Sequence, residues 1–225
     1  MMRKVGNIIA SVLFVISAVV LIITFSIGLP IYVRPFYYAH IDALGMDERY
    51  GVDREFIIEA YDEVLDFLTL EGHEFGTGRL AHSEEGKGHF EDCKVLFDLN
   101  RNAFIIALAT MIVIVVLNRL KVVKLPRPRG YGLSFFAGVG TLALFALLAL
   151  LVAPNFSLAF TIFHKIFFPG KDNWLFDPYK DPIIVFMPQQ FFMNCAILIC
   201  SSIIVISAVL IAVGIIIKKK RLAAE

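Results

Sequence analysis

Two histidines in this 225-residue chain stand where imidazole chemistry would have a use. His89 opens the stretch His89-Phe90-Glu91-Asp92-Cys93, and Asp92 follows one helical turn later, on the same helix face. His164 ends the apolar run from Ser157 to Phe163 and leads into residues 163–192, where aromatic residues, aspartates and prolines alternate. A neutral imidazole takes or gives a proton near physiological pH, and a nearby carboxylate can hold its tautomer. The same residue types also bind metals. His89, Asp92 and His164 with Asp177 or Asp181 would make a ligand set, although no HExxH-like spacing supports one. Taken alone, a His–Asp pair is most often a solvated surface pair, so the elements around it must decide.

Those elements are largely apolar. The chain is 58% hydrophobic with 21 phenylalanines, and its mean hydropathy is +0.76. That is the composition of a membrane protein. Four stretches, residues 8–33, 97–120, 131–153 and 191–217, can each cross about 30 Å of hydrocarbon at roughly 1.5 Å per residue. The first is longer than a signal-peptide core and no small-x-small site follows it closely, so it is expected to be retained. Arg3 and Lys4, the cluster from Arg119 to Arg129, and Lys218 to Arg221 all fall on one side if the chain crosses four times. The excess of cations marks that side as the cytoplasm. The expected fold is therefore an all-α integral membrane protein with four transmembrane helices and both termini cytoplasmic. An extracytoplasmic cap occupies residues 34–96 and a second outer loop residues 154–190. From Pro35 to Asn100 there are 16 acids and five bases, a net of −11 that the overall +1 conceals. No nucleic-acid partner is expected.

Within the cap, Asp53 is placed to cap a helix carrying Phe56, Ile57, Ala60, Tyr61, Val64, Leu65 and Leu68 on one face, with Gly72 placed to end it. A second helix is expected to start near Ser83 and run through His89 into the second span. In the other outer segment, Pro169, Pro178, Pro182 and Pro188 stiffen a loop that also holds the only tryptophan, Trp174. Such a loop reads as the wall of a cavity. His40, His73 and His82 are expected to be solvated, and Cys93, Cys195 and Cys200 form neither a disulfide framework nor a zinc ribbon. Arg34, at the mouth of the first span, either contacts lipid phosphate or anchors the helix. The span interiors carry almost no ionisable residue at mid-depth, which disfavours a transporter. A non-catalytic scaffold whose cap binds a partner is the alternative to an enzyme.

The segment Ser83 to Leu96, with His89-x-x-Asp92, resembles a motif of the lipoprotein intramolecular transacylases (Lit) of Gram-positive bacteria. So does Asn173-Trp174-x-Phe176-Asp177-Pro178-x-x-Asp181-Pro182, followed by Pro188-x-x-Phe191-Phe192. Phe90 and Cys93 replace the family's Met and Val, and Gly86 and Gly88 interrupt the approach to His89. The resemblance implies that the sn-2 acyl chain of a diacylglyceryl lipoprotein moves to the α-amine of its N-terminal cysteine. It implies His89 and His164 as the catalytic pair, base and acid in an order the sequence leaves open. Asp92 is then the orienting carboxylate. Trp174, Phe176, Asp177, Asp181, Phe167, Phe191 and Arg34 are expected around the substrate. No cofactor or metal is implied. The partners would be a diacylated lipoprotein and membrane lipid, and the protein would act as a monomer in the bacterial cytoplasmic membrane with its site on the outer face.

Overall fold

The structure, a computed structural model, describes the backbone of residues 2–152 and 155–224. It is helical: α1 (Met2–Tyr32), α2 (Arg34–Ala43), α3 (Met46–Tyr50), α4 (Arg54–Thr69), α5 (Glu84–Arg119), α6 (Leu133–Val152), α7 (Phe156–Phe167), α8 (Ile183–Phe186) and α9 (Gln189–Leu222). Among the described residues three helices are long and apolar enough to cross a membrane, over Arg3–Tyr32, Glu84–Arg119 and Gln189–Leu222. The third expected span falls on α6, whose apolar part with described side chains is Leu133–Leu148. The expected border with the second outer loop, Ala153 and Pro154, lies outside the described residues.

The chain divides into two compact units, one of Met1–Ile27, Arg101–Leu151 and Leu198–Glu225, the other of Gly28–Asn100 and Val152–Ile197. In the first unit small residues set the helix contacts. A Cβ at Gly138 would lie 3.0 Å from the Ser207 carbonyl oxygen, so α6 and α9 approach there to a distance that a larger residue would strain.

The second unit holds both histidines. Its core is the apolar face of α4, where Ile57, Ala60, Tyr61, Val64, Leu65, Phe67 and Leu68 are buried. Phe56, expected on that face, is only partly buried. Asp53 does occupy the N-cap in an extended conformation, but the helix ends at Thr69, with Leu70 rather than Gly72 as its cap. Tyr37 of α2 stacks on Tyr61 at 3.5 Å between centroids, and its hydroxyl donates to the Phe186 carbonyl at 2.8 Å. Ile183, Phe186, Met187 and Phe191 complete the cluster. The sequence suggested one helix ahead of Ser83; the structure adds α2 and α3. Only Tyr37 and Ile41 of α2 are buried, too short a stripe to stand out. Pro35 suits its first turn.

Candidate active site

His89 is placed by the start of α5. Ser83 caps this helix, its Oγ accepting from the Gly86 amide at 2.9 Å. The cap is itself gripped from the second outer segment. Asp181, buried, accepts from the Ser83 amide and from the Ser83 hydroxyl, both at 2.7 Å. Gly86 is what lets the carboxylate in, since a Cβ there would sit 2.2 Å from Asp181 Oδ1. The glycine that seemed to interrupt the helix is thus a condition of its attachment. Asp181, expected at a cavity wall, serves as a clamp on the histidine-bearing helix.

A second clamp lies one turn beyond His89. The Asp92 carboxylate accepts from Lys171 Nζ at 2.5 Å and from Asn173 Nδ2 at 3.2 Å. It makes no hydrogen bond to His89 among the described contacts, so its expected part as a direct orienting partner is not what the geometry displays. Burial would raise its pKa, but the Lys171 and Asn173 hydrogen bonds outweigh burial and hold the carboxyl below its usual range.

Between the clamps, His89 meets His164 with ring centroids 5.7 Å apart. The two imidazoles, 75 residues apart in sequence, are both only 6% exposed. Phe168 lies beside both rings, 5.0 Å from His89 and 5.7 Å from His164. Phe176 meets His89 edge-on at 5.5 Å. Trp174 stacks on His164 at 4.5 Å, its indole N–H tied to the Lys171 carbonyl at 3.1 Å. The histidines therefore share an aromatic enclosure made by α5, α7 and the loop after α7. Phe168 was not singled out in the sequence, being one phenylalanine among many there.

The two rings are held differently. The Asn155 side chain caps α7 by accepting from the Leu158 amide at 2.9 Å. In the last turns of that helix His164 Nδ1–H donates to the Phe160 carbonyl at 2.7 Å, because a carbonyl can only accept. In the neutral ring Nε2 then carries the free lone pair. His89 Nε2 faces Cys93 Sγ at 3.4 Å. Burial, reinforced by the Asp92 charge, pushes the Cys93 thiol up to about 12, so it stays protonated and is able to donate. When it donates to Nε2, the proton of neutral His89 sits on Nδ1, which is buried with no partner among the described residues. Burial first, and His164 second, pull the His89 pKa down to about 4. Burial also lowers that of His164, against the opposing Phe160 hydrogen bond. Both rings are neutral at pH 7.

Other expected site residues are elsewhere. Asp177 is exposed and accepts from the Tyr179 amide at 3.0 Å, closing a turn. Phe167 is exposed and touches Phe163. Phe191 belongs to the α4 core, beside Tyr37, Tyr61 and His40. Arg34 is paired with Asp62 at 3.1 Å and with Asp66. Among the described residues no three of His, Cys, Asp and Glu converge as a metal-ligand set. Each carboxylate of the alternative set has protein partners instead. His40 also differs from the solvated residue expected: its Nδ1–H donates to the Phe36 carbonyl at 2.6 Å, and its Nε2 accepts from Asn194 at 2.9 Å.

Three solved structures share this fold. The membrane-integral lipoprotein intramolecular transacylase Lit from Bacillus cereus superposes with a TM-score of 0.86 at 24% identity, over 98% of this chain and 100% of that one. A variant of it with a histidine replaced by arginine gives 0.80 at 22% identity, over 100% and 97%. The corresponding alanine variant gives 0.79 at 23%, over 98% of each. A search of curated proteins finds no match. A family model for lipoprotein intramolecular transacylase Lit matches residues 12–192, most of the sequence and all of the segments that build the histidine pair, so the chain belongs to the Lit family.

Proposed function

We propose that this integral membrane acyltransferase moves the sn-2 acyl chain of a diacylglyceryl lipoprotein onto the α-amine of its N-terminal cysteine, leaving an N-acyl lyso-lipoprotein. The observation that carries the reading is the pair of neutral, buried imidazoles 5.7 Å apart inside an aromatic enclosure, in a chain of the Lit family. In this reading the chain crosses the cytoplasmic membrane four times with both termini inside, and the pair works on the outer face. Diacylated lipoprotein and lipid are its partners, and it works as a monomer without metal or cofactor.

The rings divide the work. His164 is the base: its lone pair is on Nε2, and the Phe160 carbonyl stabilises the cation formed when that nitrogen takes a proton from the attacking amine. An α-amine titrates at about 7.7–8, so the amine is partly neutral and nucleophilic at physiological pH. Attack on the ester carbon forms the C–N bond and a tetrahedral oxyanion. His89, with a pKa near 4, is a poor base. Its buried Nδ1–H instead donates to the oxyanion, in the way preorganised donors stabilise developing charge. His164 then returns its proton to the glycerol oxygen as the C–O bond breaks. Phe168, Phe176 and Trp174 keep water from the ester. Because amine and ester belong to one molecule, confinement in a rigid enclosure supplies much of the remaining acceleration.

The test is His89→Ala and His164→Ala in cells that produce a diacylated lipoprotein, followed by mass spectrometry of its N-terminal peptide. Loss of the N-acyl lyso form with normal membrane insertion is expected for each. Full product from the double variant would overturn the proposal.

A further inference from the structure

Among the described residues, the second unit contains two buried side-chain polar atoms without a hydrogen-bond partner, His89 Nδ1 and Asn173 Oδ1. The proposed reaction uses the first. The second has no structural use. A buried acceptor left empty is costly to a fold, so a substrate that fills it is a natural explanation. The orientation of the amide is fixed. Asp92 is ionised and can only accept, so the group it faces at 3.2 Å must be Nδ2. Oδ1 therefore points away from Asp92 and can only accept. The asparagine neighbours the segments that carry the histidine pair. A Cβ on Gly88, the residue before His89, would lie 3.7 Å from Asn173 Nδ2. The next residue after Asn173 is Trp174, which stacks on His164.

We infer that Asn173 is a substrate-binding residue whose Oδ1 accepts a hydrogen bond from the lipoprotein's α-amine, so that the site recognises a primary amine. This rests on the proposed acyl transfer and assigns the nucleophile's second hydrogen. A neutral primary amine carries two. One passes to His164 Nε2 as the C–N bond forms. The other stays on nitrogen and becomes the amide N–H of the product. Asn173 Oδ1 accepts that retained hydrogen from the bound amine through to the amide, turning the nitrogen lone pair toward the ester carbon. Asp92 and Lys171 hold the asparagine in this pose. An N-methylated amine lacks the second hydrogen, so it leaves Oδ1 empty.

The experiment uses purified full-length protein with a synthetic diacylglyceryl-cysteinyl peptide bearing either a free or an N-methyl α-amine. N-acyl lyso product is read by mass spectrometry, and kcat and KM are determined. The wild type should favour the free amine by about 10–100-fold in kcat/KM, as expected for an unpaired buried acceptor. Asn173→Ala removes a bond to Asp92 for both substrates, but should lose about 10–100-fold more on the free amine than on the N-methyl peptide, so that the preference collapses. Equal losses on both substrates would mean a purely structural role and would overturn the inference. So would a wild type that turns over the two peptides alike, whatever the fate of the variant. A wild type that converts neither peptide would overturn the acyl-transfer reading itself.

Discussion

Gly86 offers the sharpest test of how His89 is positioned. In Gly86→Ala the new methyl would lie 2.2 Å from Asp181 Oδ1 and 2.7 Å from its Cγ, so the carboxylate must move. It has little freedom, being 3% exposed and bonded twice to Ser83. Hydrogen bonds to a charged group are worth about 1.5–3 kcal/mol each, while Gly to Ala within a helix returns about 1 kcal/mol. The substitution should therefore destabilise by about 2–5 kcal/mol, roughly 5–15 °C in Tm for a chain of this size. In an Asp181→Ala background the obstruction is gone, and the same Gly86→Ala change should stabilise by up to about 1 kcal/mol. The sign of the effect reverses. Thermal unfolding of the four proteins in one detergent, taken as a double-mutant cycle, measures this directly. An equal loss from Gly86→Ala in both backgrounds would refute the clamp. Acyl-transfer rates on the same set should follow the clamp, falling in each single variant as α5 loses its hold on the second segment.

Three further expectations follow from the site. His89 has a folded pKa near 4 against 6.5 for free imidazole, so the unfolded chain binds the proton first as the pH falls. Its contribution to stability is whole above about pH 6.5 and is lost on the way down to pH 4; nitrogen-15 shifts of the ring should show neutral imidazole at pH 6, and imidazolium there would contradict the assignment. Cys93→Ala removes one thiol hydrogen bond to His89 Nε2, a contact worth about 0.5–1.5 kcal/mol, so activity should fall by no more than about tenfold; complete loss would point to a covalent role for the thiol. Arg34→Gln breaks the pairing with Asp62 and Asp66 at partly exposed positions, which should cost about 1 kcal/mol in unfolding assays and leave KM unchanged; a raised KM would return Arg34 to the substrate.

The sequence made some of this legible through periodicity and position. The i, i+3 spacing of His89 and Asp92 and the stripe of α4 are local properties, and local properties survive folding. The continuity of α5 from Glu84 to Arg119 was legible for the same reason, despite two glycines. What could not be read is who meets whom across the chain. Asp92 was paired with His89 because they are sequence neighbours, yet its partners are Lys171 and Asn173, about 80 residues on. Phe191 and Trp174 lie in the same aromatic-rich segment, but one enters the α4 core and the other stacks on His164. Composition cannot separate them, because an aromatic ring satisfies either place equally. His40 looked solvated as a residue of the acidic outer segment, while its actual partners are a backbone carbonyl and Asn194.

The clamps explain how a loop, usually the mobile part of a fold, can carry half of the proposed active site. Asp181 holds the start of α5 and Asp92 its next turns, so the segment between Lys171 and Asp181 is fixed to the helix on both sides of His89. Trp174 and Phe176 lie within that fixed stretch and line the two imidazoles. An intramolecular acyl transfer asks little of the enzyme in bringing reactants together and much in orienting them, since amine and ester already share one glyceryl-cysteine. On the proposed reaction, the contacts that tie the loop to α5 would therefore serve the orientation that an intramolecular transfer needs. They also account for acidic residues at a depth where burial disfavours them: each of the two carboxylates is compensated by donors from a separate segment, and replacing either by an apolar residue would release the loop rather than improve the packing.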